Sequence, residues 1–398
     1  MKLGYILGEF PSLSETFILR EILALREEGL EILIFAQRRG PGAKIHGQAL
    51  PLLPSTIYSS RWNEARWWCN LIGFAFRHPL RVCAVPVRLA IQYRAHPFHL
   101  VKTLCRIPMA INFAYAAQAG QVTHLHAHFA FLPSVIALIM ATLMNIPFSV
   151  AVHARDIYTQ SPHLLARKLS RAASIVTCSQ YNLEYLLSRI PEIRPESIHL
   201  ARHGLDLLDF QTHEQARDLI LSVGRLEDKK GFDCLVEACH LLQMKNIPFD
   251  CAIVGEGVGE QGLRRMIRSY GLEQQVRIIP MVTQAELLPY YHRAAIFVQP
   301  SVIAADGDRD VLPNVLLEAM ALRAPVIASR LAAIPEAITD GETGLLFEAG
   351  DSAGLADKMA YLLEDPARGR ALIARARRKI ETEYDIRQNV IPLKSLFN

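Results

Sequence analysis

The chain has 398 residues, 51% hydrophobic and 21% charged, and carries a net charge of +4. Such a length predicts two or three globular domains with large cores, and the modest positive balance lacks the dense basic face that nucleic-acid binding needs. The seven cysteines include no C-x-x-C pair, and their odd number predicts reduced thiols, against a disulfide scaffold and a cysteine-held metal.

Strand and helix signals alternate from the start. Residues 3–7 read as a strand, 15–28 as a helix ended by Gly29, and 30–36 as the next strand, a βαβ beginning. The first ten residues hold one lysine, an early Glu9 and no cleavage pattern, so a cytoplasmic chain is expected. Between 61 and 106 eight Arg or Lys face the single acid Glu64, interleaved with Trp62, Trp67, Trp68, Phe76 and Phe98 among other aromatics. A surface of that kind suits anionic lipid headgroups and predicts peripheral contact with a membrane; the alternative is ordinary helices with core tryptophans.

The apolar run 129–152 is divided by Pro133, Asn145 and Pro147 into a helix of about a dozen residues and a strand, too short to span a bilayer. Further strands are expected at 123–126, 148–152, 175–178 and 198–201. His124, His126 and His128 alternate and so share one face of a strand, with His128 nearest the ligand side; no further metal ligands accompany them. His153 follows a buried strand and precedes Arg155 and Asp156, which favours a functional over a structural histidine.

A polar stretch at 211–217 reads as a linker, after which the alternation resumes with strands at 219–223, 249–254, 276–279, 296–299, 325–328 and 345–347. The fold class is therefore α/β, with two doubly wound Rossmann-like domains facing each other across a cleft.

Three loops of the second half carry chemistry. Gly224-Arg225-Leu226-Glu227-Asp228-Lys229-Lys230-Gly231 leaves a strand and enters a helix without the spacing of a Walker loop, and sets a guanidinium and an ammonium five residues apart where both can clamp a diphosphate. Gly255-Glu256-Gly257 also follows a strand, but the last glycine of a G-x-G-x-x-G pattern falls on Glu260, which argues against a nicotinamide dinucleotide fold. Asp310 and Glu318 stand eight apart across a helix start, with Pro313 expected at the first helical position and the N–H groups near Asn314 and Val315 pointing out toward an anion. Glu318 is expected to look along an open groove, suited to a pair of sugar hydroxyls.

These segments, with Gly341-Glu342-Thr343-Gly344, resemble the ordered motifs of the retaining nucleotide-sugar glycosyltransferases of family 4, and the resemblance covers the whole chain. The first half resembles the exopolysaccharide or colanic-acid branch through Glu9-Phe10-Pro11-Ser12, Ser14-Glu15-Thr16-Phe17, the histidines at 124–128 and Val152-His153-Ala154-Arg155-Asp156.

The resemblance implies a GT-B fold: an acceptor-side domain over 1–208, a nucleotide-sugar domain over 209–376 and a last helical segment, 377–398, returning to the first. It assigns Arg225 and Lys230 to the donor diphosphate, Glu318 to the ribose, and His153 and Asp310 to the transferred sugar. Gly224, Gly255, Glu256, Arg277, Pro313, Asn314 and Val315 complete the donor side, and Gly8, Ser14, Glu15, Thr16 and His128 lie on the acceptor side. Asp310 stands where the family has glutamate, Val311 where it has glycine, and Pro280 where a glycine is usual. The implied reaction is retaining transfer from a UDP- or GDP-sugar to a glycan or lipid-linked acceptor, with no cofactor and no metal. A non-catalytic nucleotide-sugar-binding relative and a nucleotide-sugar epimerase are the alternatives.

Overall fold

The computed structural model describes residues 1–40, 45–59, 63–94, 96–212 and 217–397; Arg61, Trp62 and the centre of the expected linker, 213–216, lie outside the described residues. The chain divides into two compact units, one of Met1–Cys178, Asn182–Ala201 and Val390–Asn398, the other of Ser179–Tyr181 and Arg202–Asn389.

The first unit is built on seven strands: β1 (Lys2–Phe10), β2 (Glu31–Arg39), β3 (Thr56–Tyr58), β4 (His124–His128), β5 (Phe148–Val152), β6 (Ser174–Thr177) and β7 (Ile198–Leu200). They pair in parallel in the order β3-β2-β1-β4-β5-β6-β7. The order reverses between β1 and β4, and the carboxyl ends beside such a switch point are where open α/β sheets bind ligands. β4 and β5 are buried throughout. β4 runs two residues past its expected end, which puts all three alternating histidines on the strand. Gly29, with φ +86°, takes the left-handed turn that ends the helix Thr16–Glu27, and Asn145, with φ 60°, does the same for Leu132–Met144.

Three helices between β3 and β4, Ala65–Arg77, Pro79–Gln92 and Pro97–Leu104, bury few side chains; the first has Phe74 as its one buried residue. Phe76 is 88% and Leu80 85% exposed, and Trp68, Ile72, Ile91 and Phe98 are exposed beside them. The reading of the tryptophans as core residues fails for Trp68. Among the described residues, no helix is long and apolar enough to cross a membrane.

The second unit carries β8 (Leu219–Val223), β9 (Asp250–Val254), β10 (Val276–Ile279), β11 (Ala294–Gln299), β12 (Val326–Ser329) and β13 (Leu345–Phe347). Their order is β10-β9-β8-β11-β12-β13, again parallel, with the reversal between β8 and β11. Alternation along each buried strand feeds two cores: Leu221, Val223 and Phe297 pack with Met320 on one face, and Ile220, Ile253 and Val298 with Leu235 on the other. Removing apolar surface from water at about 25 cal/mol per Å² makes these faces the main force holding the sheet in place.

Candidate functional site

In the second unit the loops after β8, β9 and β11 meet at the switch point, and glycines make the meeting close. A Cβ on Gly255 would lie 1.9 Å from the Gly224 carbonyl oxygen, and one on Gly231, which has φ +62°, would lie 2.0 Å from the Pro300 oxygen. Neither position accepts a side chain without moving backbone. Gly224 also lies against the Lys230 stem, 3.1 Å from its Cε to the position of a Cβ.

Lys230 donates from Nζ to Asp310 Oδ2 at 2.8 Å, and Ser301 Oγ donates to the same oxygen at 2.7 Å. Gln299, the last residue of β11, donates to the Ser301 hydroxyl at 2.8 Å. Burial alone would raise the Asp310 pKa, but the charges of Lys230 and Lys229 outweigh it and hold the carboxyl below its ordinary value. Beneath this pair, Lys229 binds Asp308 at 3.0 Å with both side chains nearly inaccessible. Arg225 extends from the same loop, 47% exposed at its side chain, and pairs with Glu227 at 2.7 Å.

The segment after Asp310 differs from expectation at two points. Pro313 is the N-cap, not the first helical residue: its ψ of 128° is extended and the helix runs Asn314–Ala321. A proline caps without a side-chain acceptor, so the first N–H groups of that helix are left to another partner. Asn314 Oδ1 is buried beside them with no hydrogen-bond partner among the described residues. Glu318 does not look along an open groove; it is 4% exposed and accepts a hydrogen bond from Tyr291 Oη at 3.1 Å. Tyr291, on the helix Gln284–Arg293, covers the face that the apolar pattern of the Glu318 helix leaves polar. Val311 is buried and has no left-handed φ, so the loop does not need the glycine that the resemblance places there.

Glu256 accepts from the Met281 N–H at 3.2 Å, tying the β9 loop to the end of β10. Arg277 is on β10, exposed, and faces Asp250 3.9 Å away. The structure thus gathers Gly224, Lys230, Gly255 and Asp310 at one place and leaves Arg277 on the sheet edge. Ser301, Gln299 and Tyr291 were missed; a polar residue closing a buried strand, such as Gln299, was the available signal.

In the first unit Gly8 lies on β1, Ser14 is exposed, Glu15 is the N-cap and Thr16 the first residue of the helix Thr16–Glu27. The histidines form a buried network along β4 and β5. His124 Nε2 and His126 Nδ1 both meet Ser149 Oγ, at 2.9 and 2.7 Å. His128 Nδ1 lies 3.1 Å from His153 Nε2, and His128 Nε2 lies 3.0 Å from Glu21 Oε1, a residue sequence reasoning did not single out. Tyr5 Oη donates to the same Glu21 oxygen at 2.7 Å. Burial pushes the Glu21 carboxyl up, but His128, His126 and Tyr5 together bring it down to about 2. Burial lowers His126 to about 3 and His124 to about 4, so both are neutral near pH 7. The His153 loop is held by Asp156, which accepts the N–H groups of His153, Ala154 and Ala130 at 3.1, 3.0 and 2.8 Å, while Asn182 donates to the His153 carbonyl at 2.6 Å.

Two doubly wound parallel sheets with loops meeting at their switch points are the fold of the GT-B glycosyltransferase structures. A solved structure of Anabaena Alr3699/HepE in complex with UDP-glucose superposes with a TM-score of 0.73 over 99% of both chains at 16% identity. Sucrose-phosphate synthase from Thermosynechococcus elongatus does so at 0.72 over 100% of this chain and 98% of that one, at 18% identity. Residues 208–379 match the family described as Glycosyl transferases group 1. The provisionally named colanic acid biosynthesis glycosyltransferase WcaL of Escherichia coli K12 is 27% identical over 98% of this chain and 97% of its own. The amylovoran biosynthesis glycosyltransferase AmsK of Erwinia amylovora is 36% identical over 48% of each chain. The second half of the chain thus matches the group 1 glycosyltransferase family, and the chain is similar along nearly its whole length to a colanic acid biosynthesis glycosyltransferase.

Proposed function

We propose that this glycosyltransferase moves a sugar from a UDP- or GDP-sugar to a glycan or lipid-linked acceptor, with retention at the anomeric carbon and without a divalent metal. The bond from the anomeric carbon to the diphosphate oxygen breaks, the bond to the acceptor oxygen forms on the same face, and the acceptor proton passes to the leaving phosphate. In the second unit, Lys230 and Arg225 with the N–H groups near Asn314 oppose the charge that grows on the diphosphate, and fixed positive charge there replaces a metal ion. Glu318 is assigned to the ribose. Asp310 and, in the first unit, His153 are assigned to the sugar, and the loop 7–16 to the acceptor.

The observation that supports this reading most is the Lys230–Asp310–Ser301 cluster. It holds a part-buried, pre-oriented ammonium beyond the carboxyl ends of β8 and β11, a setting suited to a phosphate that would meet both a cation and an uncapped helix start. The exposed apolar and basic helices of residues 65–104 further support peripheral binding to an anionic membrane face. Incubating the protein with UDP- and GDP-sugars and a panel of lipid-linked acceptors, with EDTA present, and reading product mass and anomeric configuration by NMR tests all parts together. Transfer with an inverted product sinks the retaining reading, loss of activity in EDTA sinks metal independence, and donor conversion without an acceptor favours an epimerase.

A further inference from the structure

Two buried side chains at the end of β11, Gln299 and Ser301, have no role so far. Every hydrogen bond that the described residues make to the Asp310 carboxylate reaches one oxygen: Lys230 Nζ donates to Oδ2 at 2.8 Å, Ser301 Oγ at 2.7 Å and Gln299 Nε2 at 3.5 Å. Oδ1 receives none of these, yet it is not one of the inaccessible orphans of this region, Gln299 Oε1, Asp308 Oδ1 and Asn314 Oδ1. The carboxylate is divided, with one oxygen tied into the protein and the other left open.

Chemistry fixes the polarity of the cluster. Asp310 is ionised near pH 7, because the charges of Lys230 and Lys229 hold its carboxyl below the ordinary value, so it accepts only. Ser301 has a single hydroxyl proton, and the 2.7 Å contact directs it to Asp310. The hydroxyl must then accept from Gln299, which turns the amide N–H toward Ser301 at 2.8 Å and leaves Oε1 buried without a partner among the described residues. Such an orphaned carbonyl lowers stability, and an apolar side chain closing β11 would avoid it. What the amide secures is the direction of the Ser301 hydroxyl. The two main donors on Oδ2 also differ in stiffness: Lys230 reaches it on a long stem that follows its target, whereas Ser301 reaches it through a single side-chain torsion, two residues past the strand end. The terminal torsion of an aspartate is broad, so Lys230 alone leaves the carboxylate free to turn.

We propose that Ser301, supported by Gln299, is a positioning residue that holds Oδ2 of Asp310 against Lys230 and so aims Oδ1 at a hydroxyl of the sugar in the bound donor. Asp310 then joins the two parts of a nucleotide sugar, with Lys230 on the diphosphate side and Oδ1 on the sugar side. The role rests on the assignments of Lys230 and Asp310 made above, and it separates affinity for the sugar from affinity for the nucleotide.

The test compares the full chain with Ser301→Ala, Ser301→Thr and Gln299→Met by calorimetry, against UDP, GDP, UDP-glucose, UDP-galactose, UDP-N-acetylglucosamine and GDP-mannose. For the sugar nucleotide that the wild type binds best, the ratio of its affinity to that of the bare diphosphate should fall about tenfold in Ser301→Ala, while the bare diphosphate changes by less than about twofold. Ser301→Thr keeps the hydroxyl and should restore the ratio. Gln299→Met leaves that hydroxyl without its own donor and should lower the ratio by about threefold. An unchanged ratio in a folded Ser301→Ala protein overturns the role, and so does an equal loss of both ligands or a folded Ser301→Thr protein that fails to restore the ratio, since either result makes Ser301 a support of the fold alone. Where Ser301→Ala does not fold, Gln299→Met decides by the same criterion. A wild-type protein that binds none of these nucleotides overturns the functional reading and this role with it, whereas a wild type that binds them beside an unaltered Ser301→Ala overturns this role only.

Discussion

The two units share a doubly wound parallel sheet but stabilise buried polar groups by opposite means. At the second unit's switch point the charges are permanent: Lys230 and Lys229 face Asp310 and Asp308, and each ammonium has a carboxylate within about 3 Å. At the first unit's switch point one carboxylate, Glu21, meets a tyrosine hydroxyl and imidazoles in place of ammonium groups, and burial lowers the pKa of one of these imidazoles, His126. On the proposed function, the second set suits the charge of a diphosphate and the first the directed donors and acceptors that a sugar hydroxyl needs. The contrast shows that one architecture can be specialised by the side chains at its strand ends alone.

The largest way to break the comparison is Lys230→Ala. It leaves Asp310 ionised and buried without its partner, which should cost about 3–5 kcal/mol of stability in the second unit. Donor binding should fall by about a hundredfold or more; a protein that melts normally and still binds UDP-sugar in a thermal-shift or calorimetric assay would remove the fixed-charge side of the contrast.

Acid should sharpen the contrast. His124 and His126 have folded pKa values of about 4 and about 3, below their ordinary 6.5, so the unfolded chain takes up protons first and their contribution is lost as pH falls from about 6.5 toward 3. Glu21, lowered from 4.5 to about 2, adds a loss in the window below 4.5. The His126 ring faces Ser149, Glu21, Tyr5, His128 and Phe397, with the Glu21 charge opposing the depression that burial, His128 and His124 cause. Melting followed between pH 8 and pH 4, a range of about four units chosen around the histidine window, should stay level above about 6.5 and then fall. A melting point that rises on acidification would contradict the neutral-histidine account.

Tyr291→Phe is a smaller probe, of the second unit. It removes the hydroxyl that donates to Glu318 at 3.1 Å and should cost about 1 kcal/mol, with a weaker donor KM and little change in kcat. Equal KM values would detach Glu318 from the donor.

The smallest effect on stability belongs to the exposed helices. Replacing Phe76 and Leu80 together by serine should change stability by no more than about 0.5 kcal/mol, because neither side chain is packed, while co-sedimentation with anionic vesicles should be lost. Vesicle binding that survives the double change would remove the membrane assignment of this surface.

Much of this was legible in the chain. Strands such as β8 and β13 fall where apolar runs bounded by glycine or polar residues place them, since a strand buried on both faces needs nothing else. Lys230 and Asp310 were legible as members of separate motifs, though not as a pair, because their contact spans 80 positions and depends on how β8 and β11 are ordered. Glu21 was invisible for the same reason: it looks like any polar residue of an amphipathic helix, and its partner His128 is 107 positions away. The reading of Glu318 erred in direction. Helical periodicity tells which side of a helix is not apolar, but cannot tell that a tyrosine from another helix covers that side.

The near collision of bare backbones at the floor of the second unit's loops has a practical corollary. With Gly255 set against Gly224, Gly257 against Leu226 and Gly231 against Pro300, any methyl introduced there strikes main chain at 2.5 Å or less. Libraries meant to widen the range of accepted nucleotides would therefore squander their diversity at these three glycines. Variation is better spent on Pro280, whose side chain is exposed.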